Sequence, residues 1–198
     1  MSAGDPPGVA LVQPSPRHLA SYIDALQRGW SADNVRGAVA AREELARIDE
    51  DAPAFLASLD DREARGAPVK LPDGSTVSRL PGFRRWLWDG SFAGAIGLRW
   101  QRGTADLPPH CLGHIGYAVV PWKQRRGYAT FALKHMLVEA RGIGLPYVEI
   151  TTDPSNLASQ RVILANGGTL VERFVKPPQF GSAPGLRYRI ALQGSASA

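Results

Sequence analysis

Val119-Val120-Pro121-Trp122-Lys123-Gln124-Arg125-Arg126-Gly127-Tyr128-Ala129-Thr130 joins two dissimilar patterns. Before it, the apolar run Ile115 to Val120 reads as a strand that stops at Pro121. After it, Ala129, Leu133, Met136, Leu137 and Ala140 recur at helical spacing as far as Gly142-Ile143-Gly144. The basic loop between them has a small-residue hinge at Gly127 and Ala129. Strand, basic loop and helix N-terminus together build an anion site from backbone N–H groups and the positive end of the helix dipole. The loop has neither the Lys-Ser/Thr pair of a nucleoside-triphosphate P-loop nor Gly-x-Gly-x-x-Gly.

Length and charge narrow the possibilities. At 198 residues the chain can bury a full core, and one domain is the natural count. The lone Cys111 excludes an internal disulfide framework and a Cys-rich zinc site. His18, His110, His114 and His135 show no ligand spacing, so no metal is expected. No apolar run approaches the ~20 residues of a membrane span, and no basic-then-apolar leader opens the chain. The expectation is a cytoplasmic protein without a membrane partner. The formal charge is +5, with Lys123, Arg125, Arg126, Lys134 and Arg141 gathered around the loop. Half of the acidic residues lie between Asp33 and Glu63. The basic patch is short and lacks aromatic interleaving, so a polyanionic small molecule is a more economical partner than nucleic acid.

The remaining periodicities give the order of elements. Residues 1–8 and 194–198 are expected to be disordered ends around a domain spanning 9–193. Val9 to Val12 reads as a strand and Arg17 to Arg28 as a helix. Val35 to Ile48 and Ala54 to Arg65 read as two more helices, the second opened near Pro53 and stopped at Gly66. Gly66 to Gly82, containing Asp73-Gly74, is a turn-rich connection. Phe83 to Asp89 and Phe92 to Gln101 form a hairpin around Asp89-Gly90-Ser91. Leu112 to Val120 is a mostly apolar strand, expected to be central and covered on both faces. Tyr147 to Thr152 is a strand, and Leu157 to Ala165 is a helix capped by Asn156 or Ser155 and closed by Asn166-Gly167-Gly168. Thr169 to Lys176 and Leu186 to Leu192 are the last two strands.

Gln124 to Ala129 spells Gln-x-x-Gly-x-Ala. It resembles the pyrophosphate loop of the GNAT superfamily of N-acyltransferases, whose consensus is Arg/Gln-x-x-Gly-x-Gly/Ala. The likeness is specific over residues 113–168. It implies an α/β (α+β), GNAT-like acyl-CoA N-acyltransferase fold, with a mixed, partly splayed β-sheet of about seven strands and helices on both faces. Residues 113–168 would then be the acyl-CoA-binding core, and 30–82 the acceptor side. The acidic bias of that acceptor side hints at a cationic amine.

The resemblance also implies a set of site residues. Val119 falls at the family's valine in Ala-Val-x-Pro, where a β-bulge aims backbone groups at the acyl carbonyl and pantetheine. The same residues suit a plain core strand that ends at a proline. Gln124, Arg125, Arg126, Gly127, Tyr128, Ala129 and Thr130 would hold the diphosphate, with Gly127 giving conformational freedom and the arginines long-range attraction. Arg125 stands where many relatives carry glycine. Asn156 and Ser159 match the family's Asn-x-x-Ala/Ser segment beside pantetheine, although Asn156 is also a good N-cap. The chain departs from the family at Val162-Ile163, where Leu-Tyr is expected, and at Gly167-Gly168, where Gly-Phe is expected. The tyrosine that protonates the leaving thiolate is therefore missing. As general base, Glu149 is preferred over His114, with Tyr117 and Asp153 as further candidates.

The reading is an N-acetyltransferase that uses acetyl-CoA and a small-molecule or peptide amine, by direct attack and without a metal. Cys111 has no surrounding motif and reads as a buried inert thiol. Two alternatives remain open, a CoA-binding GNAT-like sensor without transfer and a small basic nucleic-acid-binding protein. Self-association as a homodimer is also open.

Overall fold

The computed structural model describes residues 5–33, 36–71 and 74–192. Of the ends expected to be disordered, 1–4 and 194–198 lie outside the described residues, as do Val35 and Asp73. In chain order the elements are β1 (Ala10–Val12), α1 (Pro16–Gln27), α2 (Ala38–Ser58), β2 (Asp60–Asp61), β3 (Val69–Lys70), β4 (Thr76–Val77) and β5 (Gly82–Trp88). They continue with β6 (Phe92–Arg99), β7 (Ile115–Val119), α3 (Tyr128–Gly142), β8 (Tyr147–Thr152), α4 (Leu157–Ala165), β9 (Thr169–Val175) and β10 (Pro184–Ala191).

Local chemistry accounts for most boundaries. Pro16 opens α1, where its fixed φ suits the first turn and its missing N–H is no loss. α2 comprises two helical segments. Asp51 leaves helical conformation (φ −156°, ψ 89°), and its Oδ1 accepts the Ala54 N–H at 2.8 Å, as an N-cap does, with Pro53 in the new first turn. The second segment ends at Ser58 and not at the expected Arg65. Asp60 and Asp61 turn away to pair with Phe83 and Gly82, and the Asp61 carboxylate collects the N–H groups of Arg65 and Gly66.

One sheet runs β1-β5-β6-β7, with β2 also on β5; a second runs β8-β10-β9; β3 and β4 form a separate ribbon. The seven longer strands are those anticipated from the sequence. β7 and β8 are joined through α3 and meet where His114 N–H donates to Glu149 O at 2.8 Å. Beyond that point the two sheets part.

Cross-strand pairing fixes what each face carries. Arg84, Gly97 and Gly116 form one row across β5, β6 and β7, and Trp86, Ala95 and Ala118 the next. This face packs on α1 and α2 through Tyr22, Phe55, Trp86 and Phe92. Tyr22 stacks on Trp86 with ring centroids 4.4 Å apart. The opposite face, with Leu87, Ile96, Leu98 and Ile115, packs on Phe131, Leu133 and Met136 of α3. Truncating a fully buried aromatic such as Trp86 would cost about 3–5 kcal/mol.

Candidate functional site

The parting of the sheets makes a cleft of about 800 Å³. Its walls come from β7, the loop after it, the first turn of α3, Ile150 and Thr151 of β8, and one face of α4. Val119, Gln124, Arg125, Gly127, Tyr128, Ala129, Thr130, Asn156 and Ser159 all line it, together with Tyr117. Residues chosen at separate points of the sequence are thus brought together.

β7 supplies an open backbone edge. Val120 N–H bonds Ala93 O, and Arg99 N–H bonds His114 O, in continuous register with Gly94 opposite Val119. In an antiparallel ladder only alternate residues face the partner, so Gly116 and Ala118 bond β6. Tyr117 and Val119 therefore turn their N–H and C=O groups toward the cleft. The expected bulge is absent from β7, whose pairing with β6 is continuous; register shifts occur instead at Leu87/Trp88 and Arg187/Tyr188. The splay does the work expected of a bulge, because no strand among the described residues covers this edge. Gln124 Nε2 reaches the Val119 carbonyl at 3.4 Å, leaving the Val119 N–H to the cleft.

The floor of the loop is an α-helix start. Gly127, with φ 78° and ψ 0°, is the N-cap residue of α3, a left-handed geometry that a Cβ disfavours. The N–H groups of its first turn have no intrahelical acceptor, and the N-cap glycine has no side chain to supply one. Arg125 also has positive φ (62°), which makes it a strained stand-in for the glycine many relatives have there. The hairpin turn braces the loop from behind. Lys123 Nζ lies 2.6 Å from Asp89 Oδ1, and Tyr128 OH donates to Asp89 Oδ2 at 2.7 Å. Against the desolvation that burial imposes, these hydrogen bonds hold the Asp89 carboxyl below the usual carboxylate range.

The cation cluster is smaller than the sequence suggests. Lys123 is taken by Asp89, Lys134 pairs with Asp5, and Arg141 donates to Leu192 O from the last turn of α3. Arg125 remains on the cleft wall, whereas Arg126, expected beside it, does not line the cleft and its side chain meets the Tyr128 hydroxyl. Arg161 of α4 adds a second arginine to the lining that sequence reasoning missed, although it shares a helical face with Ala158 and Val162. Trp30 and Ser31, from the segment after α1, also reach the cleft. Nothing local in the sequence marks them, because their approach depends on how α1 packs.

Asn156 caps α4 through a 3.0 Å bond from Ser159 N–H. Tyr117 OH lies 2.9 Å from Ser159 Oγ. Burial pushes the Tyr117 phenol up to about 12, only partly offset by the Ser159 hydrogen bond, so it holds its proton at neutral pH. Ile163 is fully buried and does not line the cleft. Its Cγ2 lies 2.3 Å from where a Cβ on Gly168 would be, so Ile163 and Gly168 are two halves of one packing solution.

Glu149 and His114 are placed elsewhere. The Glu149 carboxylate accepts from Arg187 Nη1 at 2.8 Å and Arg189 Nη2 at 2.6 Å, and it does not line the cleft. Against desolvation, Arg189 and Arg187 hold it below the usual range. His114 Nδ1 accepts the Glu149 N–H at 2.9 Å, so its ring proton is on Nε2, which donates to Ala105 O at 3.1 Å. Desolvation lowers its pKa. Both nitrogens of this neutral ring are engaged at the vertex of the sheets. Asp153, exposed, pairs with Lys176. Cys111 is buried, with its thiol toward Gly113 O. Among the described residues no group of three or more His, Cys, Asp or Glu is placed to hold a metal, and no helix is long and apolar enough to cross a membrane.

Residues 42–169 match the acetyltransferase (GNAT) domain family. No curated protein matches the sequence. Among solved structures, the microcin C7 self-immunity acetyltransferase MccE, in complex with acetyl-CoA and AMP, superposes with TM-score 0.61 at 13% identity over 96% of this chain and 98% of that one. The Salmonella typhimurium acetyltransferase that modifies the N-terminal serine of ribosomal protein L7/L12 gives 0.62 at 13% identity, covering 94% and 96%. Mycobacterium smegmatis RimJ, in complex with CoA-disulfide, gives 0.59 at 19% identity, covering 92% and 81%. At such identities these likenesses establish the fold.

Proposed function

The chain belongs to the GNAT acetyltransferase family, and we propose that it moves an acetyl group from acetyl-CoA to the amine of a small molecule or peptide by direct attack. The observation that carries this reading is the uncovered edge of β7 set beside the uncapped N-terminus of α3 in one cleft. The first-turn N–H groups, Arg125 and Arg161 receive the diphosphate, and Arg126 adds long-range attraction from outside the lining. Asn156 and the edge of β7 hold pantetheine. The Val119 N–H polarises the thioester carbonyl, and positioning supplies much of the rest.

In the transfer, the amine nitrogen forms its bond to the carbonyl carbon as the carbon–sulfur bond breaks. The departing thiolate takes a proton from Tyr117 OH, which Ser159 orients. The proton that the nitrogen gives up passes to water and balances the reaction by reprotonating the phenol. Tyr117, whose phenol faces the cleft still protonated, thus replaces the tyrosine missing at position 163. We assign the proton traffic to Tyr117 and water and not to Glu149 or His114, whose polar atoms are engaged outside the cleft.

The test is thiol release from acetyl-CoA over an amine panel, with wild type and Tyr117→Phe. The variant should lose roughly 10²-fold in kcat, the scale of general acid catalysis, while binding acetyl-CoA as wild type does. Binding without thiol release for any amine would favour the sensor reading. Transfer unaffected by Tyr117→Phe would remove the phenol from the mechanism.

A further inference from the structure

A second cavity, of about 310 Å³, lies on the α2 face of the sheet. Its floor is Gly97 of β6, which pairs with Gly116 of β7, and Gly116 also lines the main cleft. Neither residue has a side chain to separate the two spaces. Arg99 stands at this step, its Nη2 3.5 Å from where a Cβ on Gly116 would be. The cavity therefore reaches β7 from the side opposite α3, beside the proposed acyl edge.

Its charge is opposite to what the acidic composition of residues 30–82 suggests. Arg47, Arg79, Arg84 and Arg99 line it, against the carboxylates of Glu44 and Asp61. Both carboxylates are already occupied. Glu44 Oε1 accepts from Arg84 Nη1 at 3.1 Å and Glu44 Oε2 from the Tyr22 hydroxyl. Asp61 accepts two backbone N–H groups and lies 3.8 Å from Arg79. Arg99 and Arg47 make no ion pair among the described residues. His110 Nε2, on the same wall, is buried without a hydrogen-bond partner among the described residues.

We propose that this cavity anchors the acceptor through an anionic group, a carboxylate or phosphate received by Arg99, so that the substrate is an amine bearing an acidic group and not a polycation. A planar guanidinium with an empty fork suits either oxyanion. The glycine step lets the amine end of the same molecule reach the β7 edge. This inference rests on the transferase reading for its use, but the anion site can be tested without transfer.

Calorimetry on protein saturated with CoA compares phosphoethanolamine, β-alanine, ethanolamine and 1,3-diaminopropane, with wild type, Arg99→Gln and Arg99→Lys. One or both acidic amines should bind at least tenfold more tightly than ethanolamine, the stronger identifying phosphate or carboxylate. Arg99→Gln should remove that preference and Arg99→Lys restore part of it, while acetyl-CoA affinity stays at the wild-type value. Equal binding of all four, preference for the diamine, or an acidic preference untouched by Arg99→Gln would overturn the proposal. Thiol release in parallel separates the two readings. Transfer without acidic preference sinks the anion site alone, and Arg99-dependent anion binding without transfer to any amine sinks the transferase reading alone.

Discussion

Gly127 offers a way to separate backbone geometry from charge in the diphosphate site. Apart from its chain neighbours, no heavy atom of the described residues lies within 4 Å of where its Cβ would be, so a side chain there meets open space and only the left-handed backbone resists it. Asparagine and aspartate tolerate that conformation better than other residues and are nearly isosteric. Gly127→Asn and Gly127→Asp should therefore fold alike, each losing on the order of 1 kcal/mol of stability. Their affinities should differ by the aspartate charge. A diphosphate resting on the first turn of α3 would sit about 5 Å from that carboxylate. One pair of unit charges at this distance repels by roughly 0.8 kcal/mol in water and about 3 kcal/mol at an effective dielectric of ~20. The expected ratio of dissociation constants is thus about 4- to 160-fold, and it should shrink with added salt. Titration calorimetry with acetyl-CoA, beside denaturant melts to confirm equal folding, reads both quantities. Equal affinity for the two variants would refute the placement of the diphosphate at this helix start.

Other outcomes follow from particular contacts. Arg125→Gly should be more stable than Arg125→Ala by about 1 kcal/mol in denaturant melts, because alanine keeps the φ 62° strain and glycine removes it. Both should bind acetyl-CoA modestly less well, with a flatter salt dependence in calorimetry. Glu149→Gln should lower stability by about 1–3 kcal/mol, the range for a hydrogen bond to a charged group in a half-exposed network. The folded carboxyl is held below its ordinary 4.5, so its stabilisation is complete above that pH and is lost as pH falls through the lowered value. Melts from pH 7 to pH 3 should show a shallower acid loss for the variant. Ile163→Tyr should cost roughly 1–3 kcal/mol through overpacking and leave kcat without a gain, since its side chain points into the core. A raised kcat in a stable variant would put position 163 back in the cleft.

Elements with purely local causes were legible in the sequence. Tyr147–Thr152 and Leu157–Ala165 match their expected ranges because alternation, an Asn N-cap and a Gly-Gly stop all lie within the segment. The early end of the second helical segment at Ser58 was not legible, since the partner of β2 lies beyond the long turn-rich connection. The same holds within the site. Lys123 reads as part of the basic cluster around the loop until Asp89, 34 residues earlier, is seen to hold it. Glu149 reads as a base until arginines about 40 residues later are found on its carboxylate. Alternation on β8 tells which residues share a face but not which face is the cleft. The charge lining the α2-side cavity could not be read from the acidic bias of residues 30–82 for a related reason, because Glu44, Asp60, Asp61 and Glu63 meet arginines outside the acidic run or at its edge.

The uncovered edge of β7 also carries a reporter of occupancy. Backbone amides that bond a neighbouring strand exchange their hydrogens only when the ladder opens, whereas outward amides are limited by solvent access. Gly116, Ala118 and Val120 should keep deuterium out, while Tyr117 and Val119, between them in sequence, should take it up readily in the free protein. A thioester drawn against that edge would slow only the second set. The alternation of fast and slow amides along five consecutive residues, and its collapse on adding acetyl-CoA, would register binding at the position where the acyl group is to be polarised, whichever amine the enzyme finally serves.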